Sequence, residues 1–363
     1  MSSNVFLFVL STILVFSDKE SFAQNPDCTI TNFSQVSSVV ESCTEIVVSD
    51  LNVPGGTTLS LKLQDGTSLT FTGATSFEYT AWDGPLVFIG GNNISVQGFS
   101  GSLLDGQGPL YWDGLGDHGS VKPSFMRIEA TGGSIFQGIT LLNCPHKCVS
   151  IAKSDNLSLI HWNIDSSAGD IDNLGHNTDG FNISSSNNIL IENAVVYNQD
   201  DCIVVNEGTN MLFNHIFCHG SHGLSLSVGL DTTNEVSNVT FSNSLVFTSE
   251  NAIHIKTHKD GGLGLISNVT FVHIIMEGIK NYGINIQQDY ANGGGTGVPR
   301  DNIPIRGLHF EHIIGSVSGN NSMPLYIFCA EGACLDIDFK NVSITGGAKS
   351  SSCINYKPTG FDC

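Results

Sequence analysis

Charged side chains are scarce in this chain, at 13% about half the usual share. Basic ones are scarcer still, with 14 Lys and Arg against 34 Asp and Glu and a formal charge of −20. A surface so acidic excludes nucleic acid as a partner, because phosphate binding needs Lys and Arg to replace counterions. No apolar run is long enough to span a bilayer, and no basic amphipathic helix is present, so a membrane partner is excluded as well. No long stretch carries a 3.6-residue apolar stripe, which argues against a sheet built from helical crossovers. No Pro-rich or Ser-rich linker divides the sequence.

What is present begins with a leader. Val5 to Phe16 is apolar apart from Ser11 and Thr12, too short to cross a membrane, and Ser21-Phe22-Ala23 places small residues where a signal peptidase reads them. Residues 1–23 are therefore read as a secretory signal peptide and residues 24–363 as one domain. Cleavage would remove Asp18, Lys19 and Glu20 and leave a charge of −19. All ten cysteines follow that point, an even number that suits an oxidising compartment. Cys28/Cys43, Cys202/Cys218, Cys329/Cys334 and Cys353/Cys363 are close enough in sequence to pair locally, and Cys144/Cys148 can make a fifth. A metal site in Cys144-Pro145-His146-Lys147-Cys148 would need further ligands that the sequence does not show.

An internal repeat organises the rest. A small residue followed by apolar, any, apolar recurs as Gly180-Phe181-Asn182-Ile183, Cys202-Ile203-Val204-Val205, Gly223-Leu224-Ser225-Leu226, Ala252-Ile253-His254-Ile255 and Gly283-Ile284-Asn285-Ile286, with Cys148-Val149-Ser150-Ile151 upstream. Such short alternation is a strand with one buried face. A second series, Asn156-Leu157-Ser158-Leu159, Asn188-Ile189-Leu190-Ile191, Asn238-Val239-Thr240-Phe241 and Asn268-Val269-Thr270-Phe271, interleaves with it at a period of about 21 to 32 residues. Short strands with a turn at every corner predict an all-β solenoid, a right-handed parallel β-helix, in which residues one repeat apart form a column.

One column is chemically unusual. Asp179 and Asp201 are 22 residues apart, and Asp201 and His222 are 21 apart. Asp179, Asp201, His222, Asn251 and Tyr282 all stand just before the small residue, and Asp200 precedes Asp201. Side-chain alternation would turn that position inward with Phe181 and Ile203, so the chain must bend where each strand begins for these groups to reach solvent. A lone Asp is most often a turn cap. Three in register beside His222 and Lys256 point instead to acid/base chemistry, because close carboxylates cannot all ionise and their pKa values separate. Eight Asn-x-Ser/Thr sequons occur, at Asn32, Asn93, Asn156, Asn182, Asn238, Asn268, Asn320 and Asn341. Several coincide with the repeat, so part of the count is turn asparagine rather than glycan attachment.

The strings Asn177-Thr178-Asp179-Gly180-Phe181, Asn198-Gln199-Asp200-Asp201-Cys202, Ser221-His222-Gly223-Leu224-Ser225, Ile255-Lys256 and Tyr282-Gly283-Ile284 leading into Gln287-Gln288-Asp289-Tyr290 resemble the polygalacturonases, glycoside hydrolase family 28. The resemblance implies a secreted enzyme that hydrolyses α-1,4 bonds between galacturonates in pectin with inversion, acting as a monomer on polygalacturonate without metal or cofactor. By it, Asp200 would be the general acid, Asp179 and Asp201 would activate water, and His222 would tune their protonation. Lys256 would bind a substrate carboxylate, Tyr290 would shape the adjoining subsite, and Asn177 would join the substrate contacts. Endo action is expected because no large insertion blocks one end of a groove. An inverting pair stands roughly 6.5 to 9.5 Å apart, more than one coil step, so a lateral offset is also expected.

Two positions depart from the family pattern. The usual Arg-Ile-Lys reads His254-Ile255-Lys256 here, and Ser221 replaces a glycine. An imidazole at 254 is expected to stand in for the guanidinium only when protonated, on the acid side of neutrality. A binding relative without catalysis, and a hydrolase of short oligogalacturonates or decorated pectin, are the competing readings. His176 and His258 flank the motifs and are candidates for the groove. His118, His161, His273, His309 and His312 are read as surface or turn residues, and His219 is left open.

Overall fold

A computed structural model describes residues 28–231, 233–291 and 293–363, so the leader expected at residues 1–23 lies outside the described residues. The chain winds into a right-handed parallel β-helix. One face is a continuous sheet that gains a strand with each coil: β1 (Leu59–Lys62), β2 (Val87–Asn92), β3 (Met126–Thr131), β4 (Val149–Ala152), β5 (Phe181–Ser184), β6 (Asp201–Val205), β7 (Gly223–Val228), β8 (Asn251–His258), β9 (Tyr282–Ala291), β10 (Met323–Phe328) and β11 (Ser352–Ile354). Each strand pairs in parallel with the next, and the short antiparallel strand Gly294–Gly295 folds back on β9. The second series of the repeat builds the other faces, with Ile189, Met211, Val239, Val269, Leu308 and Ile337 in one register column.

Identical positions stack because parallel pairing repeats the same residue at each level. Phe213, Phe241, Phe271, Phe310 and Phe339 form a ring ladder inside the coil, with centroids 4.7, 4.7, 5.4 and 4.8 Å apart. Asparagine does the same at one corner. Asn188, Asn210, Asn238 and Asn268 each have a φ of 52 to 58°, a left-handed turn that Asn tolerates, and each donates its side-chain N–H to the residue one coil earlier, starting from Asp155. Sequons Asn93, Asn156, Asn238, Asn268 and Asn341 all carry this positive φ, which explains why sequons coincide with the repeat. A single α-helix among the described residues, Val36–Ser42, buries Val36, Val39 and Val40 over the first coil, entered through a capping box between Asn32 and Gln35. It covers an edge that would otherwise pair with another chain.

The five local cysteine pairs all form: Cys28–Cys43, Cys144–Cys148, Cys202–Cys218, Cys329–Cys334 and Cys353–Cys363. His161, His273 and His312 sit at exposed positive-φ turns or their rims, as expected for surface histidines, while His219 lies half-buried against the Tyr197 ring at 5.3 Å. In the phenylalanine ladder, Phe271→Ala would leave a cavity between two stacked rings and cost about 3–5 kcal/mol. Equilibrium denaturation measures it; a loss below about 1 kcal/mol would show that the ladder is not a cooperative core.

Candidate active site

Strands near the middle of the long sheet have no exposed face. Every residue of β6, β7 and β8 is buried, including those that point away from the coil interior, whereas β4 and β5 alternate buried and half-buried positions. Segments on both sides of the strands reach this outer face: Asn177, before β5, bonds to Asp117 and Asp200, and Gly229, Leu230, Asp260 and Gly261, after β7 and β8, line one cavity with His258 and Tyr290, so the outer face is read as the floor of a groove. The acidic column lies on that floor.

Local bends bring it there. Asp179 precedes β5 in irregular backbone, and Asp201 opens β6. Asp201 pairs with Gly223, but Ile203 pairs with Leu224, so Cys202 is a one-residue bulge that reverses side-chain parity. The anticipated column is therefore shifted by one residue at its third member. His222 aligns with Asp200, its N–H donating to the Asp200 carbonyl at 2.7 Å, and not with Asp201. The turn is fixed from below by Asn198, whose buried amide donates to the carbonyls of Thr178, Asp200 and Asp201 at 2.9, 3.0 and 3.0 Å. Gln199 ties the turn to the coil before it, exchanging hydrogen bonds with Thr178 at 2.8 and 2.9 Å. Equal spacing in the sequence could not reveal the bulge.

The carboxyl groups are held by different partners. Asp201 accepts from the Lys256 ammonium at 2.9 Å and from the Ser225 hydroxyl at 2.6 Å. Asp200 accepts from its neighbour's backbone N–H at 2.6 Å and from the Asn177 amide at 3.1 Å, and its Oδ1 lies 3.3 Å from His222 Nδ1. Asp179 accepts one bond, from Asn182 at 3.0 Å. Protonation follows from these partners. Burial, with the charges of Asp200 and Asp201, pushes Asp179 up to about 7 against the opposing pull of Lys147. Burial would raise Asp200 too, but the His222 imidazolium, then Lys256 and the Asp201 N–H, outweigh it and hold this carboxyl well below the usual range. Burial opposes charge on His222, yet Asp200 overrides it and raises the imidazole to about 9. Lys256 is likewise raised, Asp201 overcoming its burial. The free site therefore stores one proton on His222 and one on Asp179. This differs from the expectation that Asp200 itself carries the acid proton.

Asn177, expected to touch substrate, has both amide atoms committed: its nitrogen to Asp200 and its oxygen to the Asp117 N–H at 2.9 Å. It positions Asp200. Lys256, expected to meet a substrate carboxylate, is bound to Asp201 with 7% of its side chain exposed. His254 departs from expectation. It is only 8% exposed, and burial together with Lys256 and His222 drives its pKa well below the ordinary value, which disfavours the charged form on the acid side of neutrality as well. It cannot stand in for a guanidinium. Tyr290 lies on this wall, its ring centroid 5.0 Å from Lys256 Nζ, 6.1 Å from the His254 ring and 5.1 Å from the His258 ring. His258 is buried beside Ser227 at 3.0 Å and is pushed down to about 4 by burial and Lys256. His176 is half-buried in the turn before Asn177. Ser221 is more than a neutral replacement for glycine, since its buried hydroxyl meets the Ser249 hydroxyl at 3.0 Å and accepts from the Gly223 N–H at 3.1 Å.

Sequence reading passed over Ser225, Asn182 and Lys147. The first two sit at the "any" position of the repeat, the outward one, where a polar residue beside the acidic column was the available signal. Ligand atoms of Asp200, Asp201 and His222 lie within 4.8 Å of one another, close enough to hold a cation. Lys256 lies 2.9 Å from Asp201, and the Asp200 carboxylate favours the protonated form of His222, so protons and an ammonium compete with a cation for these atoms.

The raised Asp179 value has a consequence for stability. A group whose folded pKa lies above its unfolded value contributes stability that is complete below the unfolded value and is lost as pH rises through about 7. Asp179→Asn keeps the amide-sized shape without the titration, so it should be more stable than the parent at pH 7, by on the order of a few kcal/mol, and equal to it below pH 4. Thermal midpoints across that range check it; a constant difference would mean that Asp179 does not resist ionisation.

With the geometry in place, comparison with known proteins is direct. Residues 43–363 match the sequence profile of the glycosyl hydrolases family 28. A polygalacturonase of Phaedon cochleariae is 50% identical over 361 residues, covering 98% of each chain. Endopolygalacturonase A of Aspergillus flavus is 41% identical over 366 residues, covering 100% of this chain and 99% of its own. Among solved structures, endopolygalacturonase I from Stereum purpureum, complexed with two galacturonates, superposes with a TM-score of 0.83 at 31% identity, over 92% of this chain and 99% of that one. The groove, its acidic column and this whole-length similarity lead to one assignment: the chain belongs to glycosyl hydrolase family 28.

Proposed function

We propose that this protein is a secreted polygalacturonase that hydrolyses α-1,4-galacturonosyl linkages of pectin, endo-acting and inverting, as a monomer and with residues 24–363 as its catalytic domain. The observation that carries the reading is the gathering of three carboxyls with different partners, Asp201 held by Lys256 at 2.9 Å, Asp200 3.3 Å from His222 and Asp179 with one amide alone, since glycoside hydrolysis needs carboxyls in unlike surroundings, one with a proton and another without. Two full-length relatives named endopolygalacturonase or polygalacturonase support the substrate. Five disulfides support the oxidising compartment that secretion reaches. No helix among the described residues is long and apolar enough to cross a membrane.

In this mechanism the His222–Asp200 pair is the proton reserve. When substrate displaces water from the groove, an ion pair loses solvation and the neutral form gains, so the proton passes from His222 Nδ1 to Asp200 Oδ1. Asp200 then gives it to the glycosidic oxygen as the C1–O bond breaks. A water held by Asp179 and Asp201 forms the new C1–O bond, and its proton goes to Asp201. Lys256 and Ser225 keep Asp201 aimed at that water, while Asn177 and the bulged backbone aim Asp200. No bond forms between sugar and protein, so the first product has the opposite anomeric configuration to the bond cleaved.

Reducing-end release from polygalacturonate, with proton NMR of the first product, tests the reading; no release, or a retained anomer, refutes it. Asp200→Asn should keep the groove but lose the acid, lowering kcat by about 10² to 10⁴ with KM little changed. More than half of parental activity in that variant would remove Asp200 from the role.

The pH profile follows from Asp179. Below about 7 it is protonated and the cluster carries one negative charge fewer; above, its carboxylate repels a polyanion, while His222, raised to about 9, still holds the acid proton. Because kcat/KM reports the free enzyme, it should fall about tenfold per pH unit above 7. A profile flat to pH 9 would contradict this assignment.

The neutral His254 favours one secondary reading, in which the subsite beside Lys256 accepts an esterified or otherwise decorated galacturonate. Comparing kcat/KM on polygalacturonate and on methyl-esterified pectin separates it from the main one.

A further inference from the structure

We propose that Lys147 is a substrate-binding residue that takes a uronate carboxylate one coil to the N-terminal side of Asp179. The proposal rests on the polygalacturonase reading and adds a subsite to it.

Register places Lys147 there. Val149 of β4 pairs with Phe181 of β5, and the Cys148 N–H donates to the Asp179 carbonyl at 2.8 Å, so residue 147 stands beside residue 179 on the preceding coil. Its backbone is fixed from both sides: the Cys144–Cys148 disulfide closes the five-residue loop, and the Lys147 carbonyl accepts from the Phe125 N–H at 2.8 Å. A cation carried on such a loop is aimed before substrate arrives, which lowers the ordering cost of binding.

Its ammonium is also unspent. Lys256 is bound to Asp201 at 2.9 Å, Lys122 to Asp113 at 2.9 Å, and Arg127 to Glu129 at 2.6 Å. Lys147, half-buried, has no hydrogen bond or ion pair from its side chain among the described residues. Its charge is nonetheless felt at Asp179, before the start of β5, and at Asp231, whose carboxylate accepts from Ser184 at the far end of β5. One ammonium is thus within electrostatic reach of both ends of β5. On the same loop, His146 is committed, its Nε2 paired with Asp117 at 2.8 Å.

Electrostatics then assigns the task. A chain of net charge −20 must draw a polyanion into an acidic groove. His254 and His258 stay neutral, and Lys256 is balanced by Asp201. Lys147 is about two coil spacings, roughly 10 Å, from the Asp201 row, the distance of a sugar next to the cleavage point. It supplies the attraction that position 254 does not, on the opposite side of the scissile bond.

The test compares Lys147→Met and Lys147→Arg with the parent at pH 5, where Asp179 keeps its proton. The methionine variant should raise KM on polygalacturonate about tenfold, with kcat within about twofold, and the arginine variant should restore KM. The penalty should shrink on highly methyl-esterified pectin and at high salt, where the charge has no partner or is screened. An unchanged KM, or an equal penalty on esterified pectin, overturns the proposal. So does a moved pH profile with KM constant, since Lys147 would then act only on Asp179. Calorimetric binding of pentagalacturonate to Asp200→Asn with and without Lys147→Met gives a readout independent of turnover. Weaker binding in the double variant supports the subsite and equal binding refutes it, whether or not the parent releases reducing ends; absent release counts against the polygalacturonase reading alone.

Discussion

Parallel backbone pairing between successive coils sets the terms for everything in this molecule. It places each outward side chain roughly 4.8 Å from its counterpart one coil away. In the interior that constraint rewards repetition, and phenylalanine and asparagine ladders result. On the groove floor it does the opposite. Stacked aspartates repel, and burial makes each charge costly, so the column survives only where every carboxylate has its own source of compensation. Asp201 finds Lys256, Asp200 finds His222, and Asp179, left with one amide, keeps a proton.

That allocation shows why the site is reactive rather than merely strained. An ion pair between Asp200 and His222 and a neutral pair of the same atoms differ by one proton moved across a 3.3 Å contact. The balance between them depends on how much water the groove admits. A substrate that fills the groove changes that balance without any large movement of the protein. The repeat supplies rigidity; desolvation by the substrate supplies the switch.

How much of this could be read from the sequence depended on whether a feature obeyed the repeat. The coil architecture, the five cysteine pairs and the turn asparagines followed it and were legible. The Cys202 bulge breaks it, so His222 was assigned to the wrong aspartate. The fate of His254 was invisible for a different reason: residue type gives an ordinary pKa, and only the packing of β8 against its walls reveals a buried imidazole facing Lys256. Asn177 was recognised as part of the site, but its hydrogen bonds to Asp117 and Asp200, 60 and 23 residues away, could not be read from the sequence. Lys147 carried no signal because its place beside Asp179 depends on the register of β4 against β5 across a 32-residue coil.

The irregular turn at residues 198–202 is the least repetitive part of the sheet and also the most heavily fastened. Cys202, the bulged residue, is bonded to Cys218 on the strand 208–219 of the same coil, Asn198 satisfies three carbonyls beneath the turn, and Gln199 bridges to Thr178 and Asp170. A bulge costs ladder hydrogen bonds and would relax toward regular pairing if left alone. Regular pairing would turn Asp201 toward the coil interior with Ile203, where no ammonium could reach it. The disulfide and the two buried amides thus oppose the tendency of the fold itself, and the catalytic geometry exists because a local exception to the repeat is held in place by coils on either side that obey it.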